Sequence, residues 1–476
     1  MAERMQKFVS LDQAGPEKRP AAERAGDFHE IHRAFIADKA AAQASRCAQC
    51  GVPFCQTGCP LQNNIPDWLR LTSEGRLREA YEVSAATNSM PEVCGRICPQ
   101  DRLCEGACVI EQSTHGSVTI GAVEKYLTDT AWREGWVAPI APRAELAQSV
   151  GIVGAGPAGL AAAERLRQRG YQVTVYDRHD RIGGLLVYGI PNFKLEKEVV
   201  ERRAQRLIEG GVKFVLNCNI GETISFDELR QRHDSILIAT GVYKAKPLNA
   251  PNEQAVVKAL DFLIAANRVG LGDDVPEFSS GALNAAGRRV VVIGGGDTAM
   301  DCVRTARRQG AKSVTCLYRR DRANMPGSQR EVGYAEEEGV AFDFLAAPKS
   351  VRAGKQPGVK AVRMHLGAPD ASGRQSPEET PDSEFTVPGD LIIAALGFDP
   401  EDLQEDWDAP ELKVSRWGTL TVDPAFATSL PGVYAAGDIV RGASLVVWAI
   451  KEGRDAADSI HAFLKDRAHT ARVAAE

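Results

Sequence analysis

This chain of 476 residues has no apolar run approaching the ~20 residues a membrane-spanning helix needs. Its first residues, MAERMQKFVSLDQ, hold no apolar core of signal-peptide length. An excess of one charge is also missing. Net charge is −6 with both signs interspersed, and pairs such as Arg202-Arg203 are too short to make a nucleic-acid surface. The eight His are scattered, and no Ser/His/Asp or Cys/His arrangement suits a nucleophile. No short-period repeat is present. These absences argue against a membrane protein, a nucleic-acid binder and a triad hydrolase. What remains, 44% apolar and 25% charged, is ordinary for a globular chain. Eleven cysteines, an odd number with no secretion signal, point to a reducing, cytoplasmic setting. Length suggests about three domains at ~150 residues each.

Cysteine is abundant in one place. Eight of the eleven read Cys47-x2-Cys50-x4-Cys55-x3-Cys59-Pro60, Cys94-x3-Cys98-Pro99 and Cys104-x3-Cys108. Thiolates this close can wrap a polynuclear centre, Cys-Pro often ends an iron–sulfur ligand run, and eight suffice for two four-iron clusters. Spacing alone leaves two zinc knuckles open, and less readily a disulfide scaffold. Helical patterning is expected over Arg24–Ala44 and Ile65–Ala85, turns over Ser89–Cys108, and a linker over Val137–Ala147. Cys218, Cys302 and Cys316 read as core residues.

Two glycine loops follow. The first, Gly154-Ala155-Gly156-Pro157-Ala158-Gly159, lies between an apolar strand and a helix, the context that makes such a match specific. Gly154 permits the turn, Gly156 lets N–H groups approach a pyrophosphate, and Gly159 allows close helix–strand packing. The next strand ends at Asp177, placed to bond a ribose hydroxyl. The second loop, Gly294-Gly295-Gly296-Asp297-Thr298-Ala299, has the same context, but its second strand ends in Arg319-Arg320. Two guanidinium groups suit the 2′-phosphate of NADP(H), although ordinary surface charges would read the same. Two dinucleotide sites imply a flavin and the nicotinamide that reduces it. Apolar strands ending at Thr240-Gly241, Gly397 and Gly437-Asp438 support FAD in the first site. A helix at Ser444–Gly453 is expected to face the flavin's pyrimidine edge. Gly367–Pro388 reads as a surface loop or hairpin connection, and the tail after Leu464 as frayed.

Taken together, the cysteine array, GAGPAG at 154–159, RIGG at 181–184, GGGDTAMD at 294–301, YRR at 318–320 and AAGDIVRG at 435–442 resemble the small (beta) subunits of bacterial NADPH-dependent glutamate synthase over nearly the whole chain. The resemblance implies an α/β fold with two Rossmann-like dinucleotide-binding domains, for FAD and NADPH, preceded by a mainly α-helical iron–sulfur domain. The expected division is 1–148 for two 4Fe–4S clusters, 149–285 with 391–476 for FAD, and 286–390 for NADPH. It implies FAD contacts at Gly154, Gly156, Pro157, Ala158, Gly159, Asp177, Gly184, Leu185, Thr240, Gly241, Gly437 and Asp438. NADPH contacts are implied at Gly295, Gly296, Asp297, Thr298, Arg319 and Arg320. One cluster would take Cys47, Cys50, Cys55 and Cys108, the other Cys59, Cys98 and Cys104. The last ligand is Cys94 or Glu124, the latter standing where dihydropyrimidine dehydrogenases hold a Gln.

NADPH gives electrons in pairs and a cluster takes them singly, so FAD is the converter between them. No glutaminase residues are present. The resemblance therefore implies a hetero-oligomer whose large (alpha) subunit bears FMN and converts glutamine plus 2-oxoglutarate to glutamate. The same module also serves ferredoxin–NADP transhydrogenase and dihydropyrimidine dehydrogenase-type complexes. A zinc-stapled domain on a disulfide reductase-like flavoprotein is the reading from another class. It lacks the redox CxxC expected after the first glycine loop.

Overall fold

The computed structural model describes residues 6–354, 356–370, 373 and 375–475. The cysteine-bearing part is a small helical assembly around Trp68, Leu69, Ala80, Val123 and Leu127, all almost fully buried. Its principal helices are Ile65–Ser73, Leu77–Thr87, Pro91–Ile97 and Ile120–Arg133. Gly75, at φ +76°, breaks the apolar periodicity of Ile65–Ala85 into two helices. Pro91–Ile97 is helical where turns are expected, with Pro91 at its first turn.

The expected helix over Arg24–Ala44 is confined to Ala21–Arg24 and Ala37–Ala44. Between them the chain runs as a strap, doubling back so that Lys18 bridges His32 and the Arg19 N–H donates to the Ile31 carbonyl at 2.9 Å. Long-range ion pairs anchor the strap: Arg24, just before it, to Glu337 at 2.6 Å and to Glu338 at 3.3 Å, and Glu30 within it to Arg96 and Lys125. Partners 66 to 314 residues away override local helix propensity.

Two five-stranded parallel sheets follow. The first has the spatial order Val433–Ala435, Ser235–Ile238, Ser149–Val153, Gln172–Tyr176, Lys213–Val215. The second runs Val257–Lys258, Leu391–Ala394, Arg289–Ile293, Ser313–Tyr318, Ala341–Phe344. The strands at 257–258 and 391–394, which the sequence division groups with the FAD unit, are hydrogen-bonded into the second sheet. Leu391 pairs with Val290 and Ile393 with Val257. The chain's two crossings between sheets pair as a short antiparallel ribbon, Lys244–Ala245 with Phe398–Asp399. Near-continuous apolar strands such as Val150–Val153 and Val290–Ile293 are buried on both faces, as parallel strands require.

A three-stranded antiparallel sheet, Ala346–Arg352, Gly358–Pro369 and Gln375–Pro388, extends from the second unit. Most of the stretch read as loop or hairpin connection is therefore strand; residues 371, 372 and 374 lie outside the described residues. The C-terminal helix runs Val446–Ala475, so the tail continues the helix instead of fraying. This helix packs against Pro157–Gln168, where a Cβ on Gly453 would strike the Ala158 carbonyl.

Candidate functional site

At the first glycine loop, Gly154 has φ +111°, and a Cβ there would strike the Ala239 carbonyl. Gly159 is pressed against the Gly154 carbonyl in the same way, whereas Gly156 has open space on its Cβ side. The helix Pro157–Gln168 begins there, with its N-terminal amide groups free for phosphate oxygens. Asp177 is locked at the end of its strand: Oδ2 accepts from the Ala155 N–H at 2.7 Å and Oδ1 from the His179 N–H at 2.8 Å. Gly184, at φ +54°, comes so near that a Cβ would lie 2.9 Å from the Gly156 Cα.

Eleven of the twelve residues expected to contact FAD line one cavity of about 540 Å³; Gly159 sits behind the loop. A second cavity of about 300 Å³ shares Gly154, Asp177, Thr240 and Tyr243 with it and continues to Arg178, His179 and Asn219. The Thr240 hydroxyl is buried with no hydrogen-bond partner among the described residues. Glycine relief, an aimed helix start, an orphaned hydroxyl and an elongated double cavity fit a dinucleotide the length of FAD. Burial pushes the Asp438 carboxyl up to about 7. Next to it, the Gly437 N–H donates to Glu452 Oε2 at 2.9 Å, and Glu452 is held by Arg441 at 2.6 Å. Sequence reading missed Glu452, since a lone acid in a helix carries no local signal.

The second loop repeats the geometry. Gly294 has φ +146° against the Ala395 carbonyl, Gly295 lies flat against the Tyr318 ring, and Gly296 is open. Asp297 and Thr298 line the 540 Å³ cavity; Gly295, Gly296, Arg319 and Arg320 do not. Arg319 is exposed and Arg320 half-buried, and no described acid pairs with either. Arg320 Nε is buried without a partner, an unspent donor at the end of its strand. This fits an anionic group approaching from outside.

The eight cysteines of the array separate into two groups. Cys47, Cys50, Cys55 and Cys108 line one small cavity of about 20 Å³. Cys59, Cys94, Cys98 and Cys104 gather near Glu124. Burial pushes the Cys47 and Cys59 thiols to about 11 and Cys55 to about 12, so their thiolates need a metal's charge beside them. Burial likewise raises Glu124 to about 8, and Ser84 and Asn88 meet it only at 3.5 and 3.4 Å. Cys94 and Glu124 thus both face the second group. Among the described residues no three of His, Cys, Asp and Glu converge closely enough for a single metal ion. Two groups of four thiols are the donor set that two four-iron clusters take. Cys218, Cys302 and Cys316 are buried in the two sheet-bearing units, away from the array.

The two glycine loops share the 540 Å³ cavity with Cys98, Pro99 and Gln100 from the cysteine-bearing part, and with Glu30 and His32 from the strap. Lys194, reaching Asp301 at 2.9 Å, bridges the two sheet-bearing units at this cavity. The strap residues carry no motif and were not legible from sequence.

Residues 24–136 match the family model described as dihydropyrimidine dehydrogenase domain II, 4Fe-4S cluster, and residues 148–453 match pyridine nucleotide-disulphide oxidoreductase. The chain is 64% identical to the glutamate synthase (NADPH) small chain of Azospirillum brasilense, over all of this chain and 99% of that one. It is 46% identical to the glutamate synthase (NADPH) small chain of Escherichia coli strain K12, over 98% and 100% of the two. Among solved structures, Mycobacterium tuberculosis FprA in complex with NADPH superimposes with a TM-score of 0.58 at 20% identity, over 68% of this chain and 86% of that one, a likeness of fold.

Proposed function

The chain belongs to the glutamate synthase small-chain family, and from that premise we propose that it feeds electrons from NADPH, through FAD and two 4Fe–4S clusters, to a large FMN-bearing chain in the cytoplasm. That partner would convert glutamine and 2-oxoglutarate to glutamate, placing this chain in ammonia assimilation. The observation that carries the reading is the single cavity lined by both glycine loops and by Cys98-Pro99. FAD supplies the exchange between paired and single electrons, and the clusters carry single electrons.

The chain's own residues supply position. Gly154, Gly156 and the helix start after them hold the FAD pyrophosphate, Asp177 orients the adenosine ribose, and the second cavity receives the adenine. Thr240, Gly437 and Asp438 flank the ring-bearing half. Gly295, Gly296, Asp297 and Thr298 seat the nicotinamide dinucleotide, whose 2′-phosphate meets Arg319 and Arg320. Glu30, Ile31 and His32 of the strap form part of the wall of the cavity that both glycine loops line.

Cys59, Cys98 and Cys104, with Cys94 or Glu124, would hold the cluster nearer the flavin. Cys47, Cys50, Cys55 and Cys108 would hold the one nearer the partner, since exposed Val52, Phe54 and Val109 border that group. The test is to follow glutamate formation by this chain alone, the large chain alone and the two mixed, all with NADPH. Glutamate from the mixture only is expected. Activity instead with ferredoxin or a pyrimidine-reducing partner would move the chain to a sister complex.

A further inference from the structure

We propose that Arg330, which belongs to the nucleotide-binding unit, sets the reduction potential of the cluster held at Cys98 and Cys104, a positioning role that rests on the cluster assignment above. Arg330 lies at the start of the helix Gln329–Glu337, yet its side chain leaves that unit. Nη1 donates to Gln100 Oε1 at 3.1 Å and Nη2 to Glu105 Oε2 at 2.8 Å. Both acceptors lie in the stretch that carries Cys98 and Cys104.

The other polar atoms of these two side chains hold the backbone of the cysteine-bearing part. Gln100 Nε2 donates to the carbonyls of Cys94 and Gly95 at 3.2 and 3.3 Å. Glu105 Oε1 accepts from the Gly121 N–H at 3.0 Å, on the helix that carries Glu124. Glu105 directly follows Cys104 and its side chain is only 8% exposed, so solvent screens its charge poorly. An added electron makes the cluster more negative. A neighbouring carboxylate opposes that electron, and a guanidinium paired to the carboxylate relieves the opposition.

Arg330 is itself held in register by the second glycine loop. The Ser328 N–H donates to Asp297 Oδ1 at 3.0 Å, and the Gly327 N–H to the Gly295 carbonyl at 3.1 Å. From the same residue the Ser328 hydroxyl donates to Asp101 Oδ1 at 3.2 Å, and Arg102 donates to the Pro326 carbonyl. The charge that tunes the cluster is thus delivered by the unit that binds the nucleotide.

The experiment is a redox titration, monitored by electron paramagnetic resonance, of the full chain with both clusters loaded. Arg330→Met should move one cluster to a more negative potential and leave the other in place. Arg330→Lys should retain most of the wild-type value, and Glu105→Gln combined with Arg330→Met should return towards it. Two unchanged potentials in Arg330→Met at full iron content would overturn the proposal, as would equal shifts in the Met and Lys variants. Loss of NADP⁺ affinity at unchanged potentials would also overturn it, making Arg330 a nucleotide contact. If Arg330→Met cannot hold iron, Glu105→Gln alone decides: the same cluster must move to a more positive potential, and no movement overturns the inference. A wild-type chain without two clusters would instead sink the proposed function.

Discussion

Where the nucleotide is proposed to enter, the chain offers charge: Arg319 and Arg320 stand at a strand end with no described acid beside them. Where electrons are proposed to leave, the twenty residues from Cys47 to Pro66 contain no charged side chain, in a chain that is 25% charged. There Val52 and Phe54 stand 64% and 54% exposed, with Val109 at 45% beside them. The difference follows from what each end must recognise. A phosphate is a small, strongly hydrated anion, held by fixed guanidinium donors that replace its water. A protein acceptor is broad, and charge at the centre of its footprint would cost desolvation, which is why interface cores are poor in charge. Each end can be broken without the other.

The largest separation is expected from Cys50→Ser, which removes one thiol from the group at 47, 50, 55 and 108. Iron content should fall by about half, and NADPH-driven glutamate formation with the large chain should fall to background. Stopped-flow reduction of FAD by NADPH should persist, because Cys50 does not line the central cavity. Undiminished iron would remove Cys50 from the ligand set. Loss of FAD reduction as well would mean that the two ends are not separable.

The opposite break is Arg319→Ala with Arg320→Ala. Each lost charge-assisted hydrogen bond costs about 1.5–3 kcal/mol, about ten- to a hundredfold in affinity. NADPH binding should weaken accordingly while NADH binding barely changes, as measured by FAD reduction at varied nucleotide concentration. Cluster content and docking to the large chain should be untouched. Equal losses for both nucleotides would show that these arginines do not read the 2′-phosphate.

The two ends also differed in legibility. The glycine loops could be read from sequence because strand, turn and helix are consecutive, so the cavity-lining residues near Gly156 and Asp297 follow from local pattern. The cysteine groups could not be read from spacing, because Cys108 joins Cys47, Cys50 and Cys55 only through folding of the helices between them. The strap from 25 to 36 was illegible for a related reason: Glu30 pairs with Arg96 and Lys125, and Arg24 at its start with Glu337 and Glu338, all far away in sequence. Gln375–Pro388 looked like loop because it holds Pro377, Pro381 and many acids. It is an edge strand, where a missing N–H is tolerated. The tail after Leu464 stays helical because alanine-rich sequence favours helix even where packing gives little.

The smallest expected effect, and the sharpest test of the output end, is Phe54→Asp. Phe54 is the first residue of the short helix Phe54–Thr57 and points largely into solvent, so the change removes little from the core. Burying a whole Phe contributes about 1.5–3 kcal/mol, and the exposed half would contribute about 1–1.5 on docking. An aspartate there also brings a charge that docking must desolvate. The dissociation constant for the large chain should therefore rise about tenfold, as measured by titrating one chain with the other and following glutamate formation. Added large chain should restore most of the rate, while the new carboxylate beside Cys55 moves that cluster to a more negative potential, as read by redox titration. Iron content, FAD reduction and the preference for NADPH over NADH should match wild type. An unaltered dissociation constant would move the docking face away from the Cys47–Pro66 segment, leaving its lack of charge to serve only the cluster behind it. A lower rate that excess large chain cannot rescue would mean that Phe54 governs electron transfer itself, and the contrast between the two ends would then be one of chemistry and not of recognition.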